Sequence, residues 1–431
     1  MAIFYPGLTP GQEALANCGC PRCYNESRVK NAPARLLPGG VVLLAATFLP
    51  QVAALRESLP ALLPIYFSVV FGGGILLAWR FDRSRLVLAL LVLALADRAL
   101  LHFAAGDART TDIGRIVFNA VSLLLPVNLA ALSWLTERGL LTARGRVKLM
   151  VLALEVLAVT LISRSELASV AAWLDHAFVE AAFPRTIAIP QPALLAFGLA
   201  FVLVAIRFLR HPTVLESGSV WTLVAAFLAL GTGPVGVVST LYLTTAGLIL
   251  VVSLVETSHG MAYSDELTGL PGRRALNEAL LKLGDRYTIA MVDIDHFKRF
   301  NDEHGHDVGD QLLRWIGARL ATVGGGGKPF RYGGEEFAVI FPGKSVADVM
   351  PHLEALRTNI YDSAFTVRAR RRPREKPPRP RTSRGQKKAA VTVSIGVADS
   401  DRHDATPDKV IEAADTALYR AKRAGRNRVS T

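Results

Sequence analysis

Two rhythms divide the chain. From about residue 36 to 256, apolar positions run in blocks of roughly 17–22, parted by short polar or charged joints. Beyond 256, short apolar runs alternate with charged turns marked by glycine and proline. A block of the first kind makes a helix that can cross ~30 Å of hydrocarbon. The blocks predict eight such helices, at about 38–55, 59–79, 86–104, 113–135, 147–163, 192–209, 218–234 and 236–255. The last two share a 38-residue uncharged run split by Gly231, Gly233, Pro234 and Gly236, which reads as a tight hairpin or as one kinked helix. Residues 165–184 also have helical apolar spacing. They read as an amphipathic surface helix, as a cap on a pocket, or as a helix held by packing alone.

Composition sharpens this division. Residues 36–256 hold 27 charges in 221 positions, whereas the other 210 residues hold 58. That contrast excludes an entirely soluble protein, and three cysteines exclude a disulfide scaffold. With both termini inside, cytoplasmic segments up to Glu216 carry 13 Lys/Arg and external ones 6, matching the positive-inside rule. The first 35 residues have no apolar core, so no signal peptide is expected. Their Cys18, Cys20 and Cys23 read either as metal ligands lacking a nearby fourth partner or as free thiols in a loose tail. Within the spans, Asp97, Arg98 and Glu155 are costly in lipid. They read as a ligand or proton site, or as Asp97–Arg98 near a helix end with Glu155 pairing between helices. A transporter reading would need more such residues along a path.

The net charge of +13 is mostly one segment: residues 368–388 hold eleven Lys/Arg against Glu375. With Pro373, Pro377, Pro378 and Pro380, this composition predicts a disordered loop. Contact with anionic lipid competes with a solvated spacer. Nucleic acid is not expected, because no aromatics interleave the charges.

Two patterns in the last part carry chemistry. Thr288–Val292 is an apolar run ending in Asp293-Ile294-Asp295, which predicts a buried strand delivering both carboxylates to one side. Carboxylates so placed suit Mg2+, although acidic strand ends also occur as solvated caps. Arg331-Tyr332-Gly333-Gly334-Glu335-Glu336-Phe337 precedes a second apolar strand and predicts a glycine hairpin. Its adjacent glutamates are uncomfortable without a cation, yet an ordinary exposed hairpin is the simpler local reading.

The wider pattern resembles the GGDEF domains, the diguanylate cyclases, in their GGEEF form. Asp265-Glu-Leu-Thr-Gly-Leu-Pro-Gly-Arg-Arg274 is similar to the family's opening motif, with Gly272 where Asn is usual. Asp293 to Lys298, Asn301-Asp302, Gly305-His306 and Gly309-Asp310 follow its spacing. Val391–Ala398 and Ala414–Val429 resemble its closing strand and helix, so the likeness covers about 265–429.

That resemblance implies an α+β, palm-like domain with a largely antiparallel sheet flanked by helices; the hydropathy blocks put a multi-pass α-helical membrane domain before it. The expected division is a tail at 1–35, a membrane sensor at 36–256 and a cyclase at 257–431. It implies two Mg2+ ions, or Mn2+, held by Asp293, the Ile294 carbonyl, Glu335 and Glu336. Glu335 and Lys298 would be catalytic, while Phe297, Asn301, His306, Asp310, Gly333, Gly334, Lys422 and Arg426 would bind substrate. Asp310 accepts from guanine N1–H and N2–H2, which adenine cannot offer, and so points to GTP.

One GTP per domain and a product joining two imply a homodimer. The expected location is the cytoplasmic membrane with the catalytic domain inside, about nine residues beyond the last span. Many relatives carry an inhibitory Arg-x-x-Asp five residues before the signature; here that stretch is Gly324–Gly327, which predicts no product inhibition there and a flexible turn. The competing function is a catalytically silent domain that binds GTP or cyclic dinucleotide and signals by contacts.

Overall fold

The computed structural model describes residues 32–105, 111–137, 139–140, 142–162, 188–231, 235–367, 388–400 and 406–431. Cys18, Cys20, Cys23, the stretch 165–184 and the basic segment up to Lys387 lie outside these described residues. The chain divides into two units between Ser258 and His259.

The first unit is helical: α1 (Ala32–Phe48), α2 (Ala53–Phe67), α3 (Gly74–Arg80), α4 (Ser84–Phe103), α5 (Asp112–Trp134), α6 (Ala143–Ile162), α7 (Gln191–Arg210), α8 (Val214–Gly231) and α9 (Val237–Tyr263). A π-helical turn at Ser68–Gly73 joins α2 to α3, so Leu55–Arg80 is one rod. Among the described residues helix occupies each expected span, and six helices are long and apolar enough to cross a membrane, against the eight expected. The first falls short at Arg35–Gln51. Helix α6 is not among the six: after Arg144 and Arg146 in its first turn it carries Lys148 and Glu155.

The last two blocks form separate helices. Thr222 Oγ1 donates to the Ala246 carbonyl at 3.2 Å, and Gly218, one turn earlier, faces Ser253. The pairing is antiparallel, which is the hairpin and not the kinked rod. Helix α9 is buried on nearly every side along its apolar part, as expected of a helix without a polar face.

Several charges in this unit are paired. Arg85 Nε meets Glu137 Oε1 at 2.9 Å, and Arg207 Nε meets the buried Glu216 at 3.1 Å. Arg98 bonds the adjacent buried Asp97, and Asn128 Nδ2 of α5 donates to Glu155 of α6 at 2.6 Å.

The second unit is a mixed α/β layer structure. It contains α10 (Arg273–Leu281), β1 (Tyr287–Ile294), α11 (Phe297–His304), α12 (His306–Leu320), β2 (Lys328–Gly333), β3 (Glu336–Pro342), α13 (Val346–Asp362), β4 (Phe365–Thr366), β5 (Lys388–Ala389), β6 (Val393–Asp399), α14 (Pro407–Arg423) and β7 (Val429–Ser430). The main sheet has order β2-β3-β1-β6-β7, antiparallel except that β7 lies parallel to β6. The expected antiparallel sheet is therefore mixed at one edge. A parallel partner is reached because α14 crosses between β6 and β7, the connection a parallel pair requires.

Strand alternation sets the layers. Ala290, Val292 and Ile294 face one side with Phe337, Val339 and Phe341, under α12 and α13. Ile289, Met291, Ala338 and Ile340 face the other, under α10 and α14. Two packed faces explain why β1 is buried along its whole length. Gly396 lets α14 approach β6 closely: a Cβ there would lie 2.2 Å from the Ala414 carbonyl oxygen. That approach brings the end of α14 to the end of β1.

Candidate active site

Period-two geometry turns Asp293 toward the α14 face, at the point where β1 ends. There Lys422 Nζ, in the last turn of α14, lies 2.9 Å from Asp293 Oδ2. Directly across the ladder stands Glu336, the β3 partner of Asp293. Glu335 occupies the hairpin turn just before it, beside Gly334 at φ +53°. Sequence-distant residues thus converge because one strand ends where a hairpin and a helix end.

The site is short of positive charge. Burial raises the Asp293 carboxyl above its ordinary range; Lys422 opposes this, while Asp295 adds to it. Burial also raises Glu335, with Asp293 and Glu336 adding repulsion. Glu336 is raised by burial, then by Asp293 and Asp415. Hard carboxylate oxygens that repel one another form a donor set suited to Mg2+ or Mn2+. Among the described residues no three such side chains already form a metal cage. Lys422 instead holds the Asp293 oxygen that an ion would take.

Asp295 has a different fate from Asp293. It accepts from Thr392 Oγ1 and Ser394 Oγ at 2.7 Å each, and from the Asn427 N–H at 3.1 Å. With those donors it ties the end of β1 to β6 and to the turn after α14, so the two carboxylates do not act as a pair. Arg426 and Asn427 take positive φ of 63° and 46° in that turn. The turn brings Arg426 within electrostatic reach of Asp293.

The other expected residues lie on α11 and α12. His296 adopts φ 60° between β1 and α11, a conformation uncommon for a residue with a Cβ. Phe297 is buried in the core, so its side chain is a packing group. Lys298 is exposed in the first turn of α11, and His306 is exposed at the start of α12. Asn301 lies against Gly309, next to the half-buried Asp310. Among the described residues its Oδ1 is buried without a hydrogen-bond partner. A buried acceptor left unpaired calls for a donor from elsewhere.

One brace was not readable from spacing. Arg331 Nη1 reaches both Asp265 oxygens at 2.8 and 2.9 Å, and Arg331 Nη2 donates to the Gly334 carbonyl at 2.7 Å. Burial pushes the Asp265 carboxyl up, but Thr268 and Arg331 outweigh it and hold the group below its ordinary range. Both residues stand inside recognisable motifs, yet their pairing across 66 positions leaves no signal in one sequence.

The Gly324–Gly327 turn is also tighter than its composition suggests. Gly325 and Gly326 have φ +67° and +76°, and a Cβ at Gly327 would lie 2.6 Å from the buried Phe341 ring. Glycine here admits a close approach and does not mark a loose loop.

Residues 262–428 match the family described as diguanylate cyclase, GGDEF domain. The response regulator PleD of Caulobacter vibrioides is 38% identical over 183 residues, which are 41% of this chain and 37% of that protein. The diguanylate cyclase VdcA of Vibrio cholerae is 39% identical over 172 residues, 39% of this chain and 46% of its own length. The chain thus spans less than half the length of these two relatives. Among solved structures, the coiled coil and GGDEF domain of DgcB from Caulobacter crescentus is similar at 33% identity. That likeness covers 41% of this chain and 88% of the other, with a TM-score of 0.35. The C-terminal unit of this chain contains a GGDEF domain of the diguanylate cyclase type.

Proposed function

We propose that the chain is a membrane-bound diguanylate cyclase of the GGEEF form, which condenses two GTP into cyclic di-GMP and two pyrophosphates. The observation that carries this reading is the carboxylate cluster of Asp293, Glu335 and Glu336 facing Lys422. The match of residues 262–428 to the cyclase family supports it.

Asp293, the Ile294 carbonyl, Glu335 and Glu336 would hold the divalent cations, Mg2+ or Mn2+. When bound, such ions neutralise triphosphate charge and favour ionisation of a coordinated hydroxyl. Lys422, Arg426 and Lys298 would contact the triphosphate, where three cations offset the charge that develops. The backbone at Gly333 and Gly334, which carries no side chain, leaves room for the nucleotide, and His306 lies toward the nucleoside. Asn301 and Asp310 read the guanine edge, Asp310 accepting from N1–H and N2–H2.

Glu335 takes the proton of the ribose 3′-hydroxyl, the task of a carboxylate positioned beside the reacting group. The 3′-oxygen forms a bond to the α-phosphorus of a second GTP, and the bond to the bridging oxygen of the leaving pyrophosphate breaks. Performed twice, the step closes the ring and releases two pyrophosphates and two protons. Each domain presents one GTP, so two copies of the chain must face each other as a homodimer.

The reading places residues 36–256 in the cytoplasmic membrane as a sensor and 257–431 in the cytoplasm. The primary product-inhibition site is absent at Gly324–Gly327. Turnover of GTP by the full chain beside Glu335→Gln tests the chemistry. Loss of a base costs roughly 100-fold or more in rate. A mutant as fast as the parent would remove Glu335 from its role.

A further inference from the structure

A cavity of about 550 Å³ opens between α4, α5 and α6. Small-molecule sites typically span roughly 300–1,000 Å³. Its walls are mainly apolar, with Ala99, Val121, Leu125, Leu152 and Val156 among them. Polar groups gather in two places. Arg98 and His102, one turn apart on α4, form one; Glu155, fixed by Asn128, forms the other.

Arg98 decides which ligand fits. Its Nε and Nη2 donate to Asp97, which is only 1% exposed, and its guanidinium lies 3.9 Å from the centre of the Phe67 ring. A guanidinium has five N–H donors, so those two bonds leave a donor edge for the cavity. A buried counter-ion and an aromatic face hold the cation in place, while half of its side chain stays exposed. A fixed guanidinium edge beside apolar walls matches a carboxylate or phosphate, and an unmatched one is costly there. Glu155 repels an anion, which orients the head toward Arg98 and away from α6. The apolar walls then take an aliphatic chain.

We propose that this cavity binds an amphiphile with an aliphatic chain and an anionic head, the head at Arg98 and His102. Such a molecule comes either as a free fatty acid or as an anionic phospholipid of the bilayer. Binding here is independent of the cyclase reading, so either can fail without the other.

The test uses full-length protein in phosphatidylcholine nanodiscs and the fluorescent fatty acid cis-parinaric acid. Saturable binding is expected, with the methyl ester at least tenfold weaker. Arg98→Gln weakens the acid about tenfold and leaves the ester unchanged, while Ala99→Phe, which fills the cavity, removes both. If Arg98→Gln fails to fold because Asp97 loses its counter-ion, His102→Gln and Ala99→Phe report on the same site. Displacement by palmitate identifies a free acid as the ligand, and displacement by phosphatidylglycerol in the disc identifies the lipid. Binding that does not saturate, or equal binding of acid and ester, would overturn the proposal, as would indifference to Ala99→Phe.

Discussion

At the scale of single residues, the site is a balance between carboxylates that repel and cations that answer them. Asp293, Glu335 and Glu336 all have raised pKa values in the fold, so protonation favours the folded state. Their repulsion grows as pH rises through those raised values. Without divalent ions, the C-terminal unit should therefore melt at lower temperature at pH 8 than at pH 5. Millimolar Mg2+ should close that gap, and a melting curve at each pH with and without the ion checks it. Asp265 behaves oppositely. Its lowered pKa makes its contribution complete above the usual carboxylate range and lost as pH falls through the folded value. Arg331→Ala breaks its bidentate bonds and frees the Gly334 carbonyl together, in a pair whose side chains are mostly buried. The expected loss is about 2–3 kcal/mol in urea unfolding of the 257–431 fragment, with a fall in turnover.

At the scale of elements, the legibility of the sequence followed its periodicity. The run Thr288–Val292 marked β1, and alternation placed Asp293 on the α14 face. The same rule would pair Asp295 with Asp293. It fails because the strand ends at Ile294 and three donors from elsewhere claim Asp295. The parallel β7 edge was illegible for a similar reason: two residues carry no pattern. Pairings such as Arg331 with Asp265 depend on topology, which no local window contains. The glycine turn between α12 and β2 misled in another way. Composition suggested freedom, but Gly327 is fitted against Phe341. Added cyclic di-GMP should leave the initial rate unchanged in an assay with saturating GTP. Placing Arg at 324 and Asp at 327 should lower stability through the clash with His352 and Phe341, not restore inhibition.

At the scale of the whole molecule, the hydropathy blocks located every described helix of the first unit, but counting spans required charge as well as length. Helix α6 is the instructive case: its block is long enough, yet Lys148 and Glu155 interrupt it, and Glu155 accepts from Asn128 on α5. Asp97, Arg98 and Glu155 were visible as anomalies in the sequence. Only the placement of Arg98 and Glu155 at a cavity, with Asp97 holding Arg98, gives them a chemical reading. On the proposed function the two units divide the work: one supplies apolar helices and a chamber, the other the carboxylates and cations proposed to handle a nucleotide. In the proposed function this second chemistry joins two GTP molecules. The most direct measurement is product analysis of the detergent-purified full chain incubated with GTP and Mg2+. Cyclic di-GMP with two pyrophosphates per dinucleotide, and none from ATP, is the predicted result. Bound GTP with no dinucleotide formed, even after two copies are forced together, would contradict it.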